Sequence, residues 1–224
     1  MEGAWTALAL TLKVAAWATA LNLVLGVGVG WWLARKRSAS RELLDAALTL
    51  PMVMPPTVLG YYLLVLLGSQ GPLGSWLLQH LGIRLIFTWQ AAVIAAALVS
   101  FPLVFKAARS AFESVEPGYE DAARTLGIGE MALFLRVSLP LAWRGIASGL
   151  LLGFARCLGE FGATLMVAGS IPGQTQTLAS AVFEAVQAGR DDAAAFLVAL
   201  ASVTCAAVLL ATSRLAPGHL GTRR

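Results

Sequence analysis

Apolar residues run through this chain in blocks too long for the core of a soluble domain. The segments 14–34, 46–83, 85–105, 161–183 and 193–213 contain no Asp, Glu, Lys or Arg, and about twenty apolar residues suffice for a helix to cross a bilayer. The pattern predicts an all-α integral membrane protein with about five transmembrane helices, at about 5–34, 43–68, 89–109, 141–168 and 193–213. Pro51, Pro55 and Pro56 fall inside the second run. Each removes a backbone donor, so that helix must kink or unwind at depth, and broken helices in a membrane line protein-enclosed paths. Residues 69–74 read as a turn, and 76–88 as an interfacial connection with Trp76 and Trp89 at headgroup depth. The sequence leaves open whether the first run is one span or breaks near Asn22.

Composition agrees. Of 224 residues 58% are apolar and 12% charged, about half the roughly 25% charge of soluble domains. Five spans and their connections fill 1–224 as a single transmembrane domain, which leaves no room for a fused catalytic domain. A secretory signal peptide is the rival reading of the first run, because Ala18-Thr19-Ala20 has a small-x-small pattern. Residues 1–12 carry Glu2 and no basic residue, however, and the apolar sequence continues past that point, so a retained helix is favoured.

The formal charge of +4 would suggest nucleic acid in a soluble protein. Here topology accounts for it and no nucleic-acid partner is expected. Basic residues concentrate at 35–41, at 106–144 and in a tail with Arg214, Arg223 and Arg224, whereas the opposite connections offer Arg84 and Arg190. Positive charge marks the cytoplasmic side; the N-terminus is therefore expected outside and the C-terminus inside. The loop at about 110–139 is then cytoplasmic and the one at about 169–192 external.

Chemistry is mostly excluded. The Gly-Lys-Ser/Thr of a P-loop occurs nowhere, and Lys13 and Lys106, for example, follow Leu12 and Phe105, so this chain is expected to bind no ATP and no other cofactor. Cys157, Cys205, His80 and His219 stand at spacings that match no metal site, and the cysteines read as packing residues. Gly145, Gly149 and Gly153 repeat every four residues, as do Gly26 and Gly30, which is the pattern of closely packed membrane helices. Gly26 to Gly30 could suggest a dinucleotide loop, but no strand precedes it.

The segment 110–139 is long for a connection between neighbouring helices, and long loops carry function. Pro117 suits a first helical turn, Glu120 and Asp121 suit its positive end, Arg124 stands four residues after Glu120, and Gly127 ends it. A helix of some ten residues is predicted at the membrane surface. Ala122 and Ala123 would let another protein approach closely, while the acids and Arg124 would fix its orientation. The alternative, an amphipathic helix lying on lipid headgroups, fits less well because its first turn is acidic.

Those residues resemble a known signature. EDAARTLG at 120–127 followed by VSLP at 137–140 looks like the EAA motif of permease subunits of ABC importers: acidic-Ala-Ala, Gly, then a β-branched residue and Leu139-Pro140. Asp121 stands between Glu120 and the alanines, which blurs which acid meets the partner. The resemblance implies a type I ABC importer permease fold, with the segment acting as a coupling helix in a cleft of a separate ATPase subunit. At finer grain LPMVMPPTVLGY at 50–61, FARCLGEFGAT at 154–164 and IPGQTQT at 171–177 are similar to molybdate permeases. Sulfate and thiosulfate permeases share the first two, so the third carries the subgroup and sulfate stays open, as does tungstate.

Arg156 and Glu160 lie within the fourth run, four residues apart, and an ionised group at that depth needs a partner or water. Two readings stand. In one they form an ion pair that neutralises both and fixes the helix. In the other Arg156 lends positive potential to a dianion's path, with Glu160 limiting how tightly the anion is held. Thr164, Thr57 and Ser100 could add hydroxyls, and Pro55 and Pro56 mark the path at the broken second helix, although hydroxyls in helices more often bond their own backbone.

By resemblance the assembly is a homodimer of this chain in a bacterial or archaeal cytoplasmic membrane, surrounded by lipid. Two ATPase copies bind the ATP, and an external oxyanion-binding protein delivers and selects the substrate. The chain itself would perform no catalysis. A closed pair is also what symmetry favours. An autonomous secondary carrier would show internal repeats or unpaired ionisable residues along a path, and an integral-membrane enzyme would need more than the acids Glu113, Glu116, Glu120 and Asp121, which a helix N-terminus explains.

Overall fold

The computed structural model describes residues 2–35 and 38–215, with side chains from Gly3 to Ala211. Lys36, Arg37, the Arg214 side chain, Arg223 and Arg224, on which part of the charge-based topology rests, lie outside the described residues, as does His219. All elements among the described residues are helical. Helix α1 (Glu2–Ala34) runs unbroken for 33 residues. Asn22 is no break: it is 1% exposed, and its Nδ2 donates to Ala97 O at 3.0 Å and Ser100 Oγ at 2.9 Å. Cys157 Sγ joins Ser100 Oγ at 3.2 Å. These bonds tie three helices at membrane depth, where each is worth about 0.6 kcal/mol.

The second apolar run is bent, as its prolines require. Helices α2 (Ala39–Val53) and α3 (Pro56–Leu67) meet at 109°. The break falls at Met54 and Pro55, while Pro51 is held inside α2. Residues expected to be a plain connection form α4 (Pro72–Leu81), opened by Pro72 and closed by Gly82 at φ 67°. Helix α5 (Trp89–Glu113) is the centre of the bundle and keeps Pro102 without a break. Its buried alanines, Ala91, Ala92, Ala95, Ala96, Ala97 and Ala108, give it a smooth surface on which α1 and α8 (Leu139–Leu158) lie closely.

The glycine repeats serve that approach. A Cβ at Gly149 would collide with Ala107 Cβ, one at Gly145 would stand 2.6 Å from Ala111 Cβ, and one at Gly30 would stand 2.9 Å from Ala108 Cβ. Small residues let membrane helices approach to backbone contact.

The fourth run differs most from its expected form. It begins early, with α7 (Glu130–Leu133) leading through a π-helical segment (Phe134–Ser138) into α8. Pro140 supplies no N–H to the carbonyl four residues back, and a widened turn just before it accommodates that loss. The run then breaks: α8 ends at Leu158 and α9 (Gly162–Ala168) starts anew. Arg156 and Glu160 therefore do not share one continuous helix. The 169–192 segment likewise holds α10 (Leu178–Gln187), opened by a capping box between Thr177 and Ser180, and α11 (Asp191–Leu215) completes the chain. Among the described residues four helices are long and apolar enough to cross a membrane, or five when the bent pair α2 and α3 is counted as one span.

Candidate functional site

Two places collect the residues singled out above. At one end of the bundle α6 (Pro117–Thr125) forms a nine-residue helix with Pro117 at its start. Gly127 follows at φ 79°, a left-handed conformation that glycine adopts without penalty, and Gly127 N closes the turn on Arg124 O at 2.9 Å. The two acids have different tasks. Glu120 Oε1 accepts from Ser138 Oγ at 2.6 Å, while Asp121 keeps 70% of its side chain exposed. The two alanines also part: Ala122 is exposed, and Ala123, expected to face a partner, is buried against the chain itself at 6% exposure.

Arg124 gathers the loop. Its guanidinium reaches Glu120 at 3.1 Å, Asp121 at 2.9 Å and Glu130 at 3.2 Å. The hydrogen bond to Glu130 does most to raise its pKa above the ordinary value, so it stays charged. Glu130 also pairs with Arg35 at the end of α1, and Arg35 stacks on Trp31, its guanidinium 4.0 Å from the ring centroid. Behind α6 lies a recess of about 690 Å³ between Trp31, Arg35, Phe112, Glu113, Glu120 and Glu130. Leu139 and Pro140 stand where the π segment joins α8, so the end of the motif sets the angle at which the loop meets the bundle. Outward, α6 and its surroundings present Tyr119, Asp121, Ala122, Leu126 and Met131: a largely apolar surface that includes the exposed Asp121, held by ion pairs from behind.

A clamp that sequence reading passed over lies beside it. Asp45 on α2 binds Lys106 and, at 2.6 Å, Arg109 on α5, and Arg109 also holds Glu113 at 2.8 Å. Ser138 was equally hidden, as a spacer within the motif. Its signal is a small polar residue between Val137 and Leu139 in an otherwise apolar run.

The second place is the break between α8 and α9. Glu160 is 4% exposed; its Oε2 meets Arg156 Nη2 at 3.1 Å and its Oε1 accepts from Ala163 N at 2.9 Å. The carboxylate thus caps the first turn of α9, where unpaired N–H groups favour negative charge, and holds the guanidinium with its other oxygen. The expected ion pair is present, with this capping role in addition. Thr164 is buried one residue on. Ser100 is spent on Ala96 O at 2.7 Å, and Thr57 is exposed. The two breaks touch: a Cβ at Gly162 would lie 3.0 Å from Pro56 Cβ, and one at Gly60 would lie 3.0 Å from Ala163 Cα. Pro55 and Pro56 are thereby brought beside the start of α9, while the α6 residues stand apart at the end of the bundle.

Comparison with known proteins bears on the family and the fold. The molybdenum transport system permease protein ModB of Escherichia coli (strain K12) is 42% identical over 209 residues, covering 93% of this chain and 91% of that protein. The sulfate transport system permease protein CysT of the same organism is 37% identical over 200 residues, covering 89% and 71%. A bacterial alginate ABC transporter, solved in complex with an alginate pentasaccharide-bound periplasmic protein, superposes with a TM-score of 0.70 at 16% identity over 95% of this chain and 77% of its own; at that identity the likeness concerns the fold, that of a type I ABC importer permease. The pattern of one family covers residues 26–218, and the chain belongs to that family, the inner membrane components of binding-protein-dependent transport systems.

Proposed function

We propose that this chain is the membrane-spanning permease subunit of an ATP-driven molybdate importer, a multi-pass protein of the inner membrane. What supports the reading is the outward face of α6, on which Asp121 and Ala122 are exposed while Glu120, Arg124, Glu130 and Arg35 fix the helix from behind. Such a helix suits the cleft of an ATPase subunit. Two copies of this chain enclose the path, two ATPase copies bind the ATP, and an external oxyanion-binding protein delivers the anion. The N-terminus lies outside and the α6 loop inside. This subunit binds no cofactor and performs no bond chemistry; its contribution is a two-state change biased by contacts that differ between states at α6.

The cargo follows the identities, 42% to a molybdenum permease over nearly all of both chains against 37% to a sulfate permease over 71% of the latter. The test is uptake of labelled molybdate into proteoliposomes that hold the chain, its co-purified ATPase and its binding protein. Uptake that requires ATP and ignores excess sulfate is expected. Suppression by sulfate moves the cargo to sulfate, and uptake without the ATPase overturns the importer reading in favour of an autonomous carrier.

A further inference from the structure

Helix α8 shows two faces that differ in character. Ala142, Ile146, Gly149, Gly153 and Cys157 are buried. A second stripe, at every fourth residue, reads Arg144, Ser148, Leu152 and Arg156, of which the first three are exposed and Arg156 keeps 35% of its side chain exposed. Twelve residues of helix span about 18 Å, so the stripe climbs from the loop end of α8 to the break at Gly159. A surface turned to lipid reads differently: the exposed positions of α11 include Val198, Val203, Leu209 and Leu210. Ionisable groups within a membrane face the protein interior or a water-filled cavity rather than lipid.

Neither arginine is fully used. Glu160 takes one nitrogen of Arg156 and is itself fixed by Ala163 N, so it cannot follow the guanidinium outward. The remaining Arg156 donors, and all those of Arg144, have no partner among the described residues. A guanidinium presents a planar fork of donors that matches an oxyanion. With one edge held by a carboxylate, Arg156 attracts an anion without trapping it.

We infer that the Arg144, Ser148, Leu152, Arg156 stripe is one wall of the passage for a tetrahedral oxyanion, with Arg156 the contact at depth and Arg144 the contact at the loop end. The inference rests on the importer reading above. It assigns Arg156 a task beyond its ion pair and turns this face of α8 toward water.

The test uses the complete complex in proteoliposomes, with Cys205→Ala as background, in which the buried Cys157 is kept and its labelling measured as the baseline, and with one cysteine added at a time by Ser148→Cys, Arg156→Cys or Val203→Cys. A charged, membrane-impermeant thiol reagent is expected to label positions 148 and 156 and not 203, and molybdate with ATP and binding protein is expected to slow labelling at 148 several-fold. Arg156→Gln is expected to lower uptake at least tenfold while the ATPase still co-purifies, and Arg156→Lys to retain more of it. Labelling of 148 and 156 by a lipid-soluble reagent alone, or protection of both from either reagent by the partner copy, overturns the assignment of the stripe. Absence of any oxyanion uptake by the unsubstituted complex overturns the importer reading instead.

Discussion

Glu120 and Ser138 are joined across eighteen residues by a 2.6 Å hydrogen bond between carboxylate and hydroxyl. This bond closes the α6 loop on the π segment, so the orientation of α6 is set by the same turn that starts α8. Ser138 is fully buried, and a bond to a charged group there contributes about 1.5–3 kcal/mol. Ser138→Ala is expected to loosen α6 without releasing the ATPase: molybdate transported per ATP hydrolysed falls several-fold while co-purification persists. An unchanged ratio counts against a coupling role for the bond.

The two acids of the motif separate by assay. Asp121→Lys changes an exposed side chain that holds only Arg124, and exposed pairs contribute about 0.2–1 kcal/mol, so the thermal stability of the isolated chain should hardly change. Recovery of the ATPase subunit in a pull-down should fall sharply. Ala123→Leu is expected to do the reverse at first order, since overpacking a buried site costs about 1–3 kcal/mol and lowers the melting temperature.

Gly149→Val tests the contact between α5 and α8. The added Cβ would collide with Ala107, and forcing the helices apart also stretches the Asn22, Ser100 and Cys157 cluster. A loss of about 1–3 kcal/mol is expected, measurable by thermal unfolding in detergent. Gly28→Val, where a Cβ meets nothing within 4 Å, is the control that should leave the transition in place.

Replacing Glu160 tells a cap from a charge partner. Glu160→Gln keeps an oxygen for Ala163 N, whereas Glu160→Ala leaves that buried donor empty at about 1–3 kcal/mol. The alanine variant should unfold at lower temperature than the glutamine variant. Equal destabilisation would show that the pair with Arg156, not the cap on α9, is what matters there.

The long apolar runs were legible because a bilayer imposes length and composition on any span. Pro55 and Pro56 announced the bend, and Pro117 with Gly127 announced α6, because each acts on its own backbone. The break after Leu158 has no proline to mark it; Gly159 stands at the end of α8, and the Glu160 carboxylate caps the first turn of α9. Helix α10 was missed because its start signal, Thr177 with Ser180, lies in a segment whose overall polarity reads as loop. Which alanine faces outward, and that Glu120 turns inward while Asp121 does not, depend on how the loop is tied to α1 and α8. Those ties join residues far apart in the chain, such as Arg35 and Glu130.

Helices α3 and α9 each begin at an interruption, and they rest on one another through Gly60 and Gly162. The consequence is mechanical. Two short rods joined side by side, each with a pivot at its entrance, can tilt as one lever, because the strain falls on turns that already lack regular helical bonds and no interior bond need stretch.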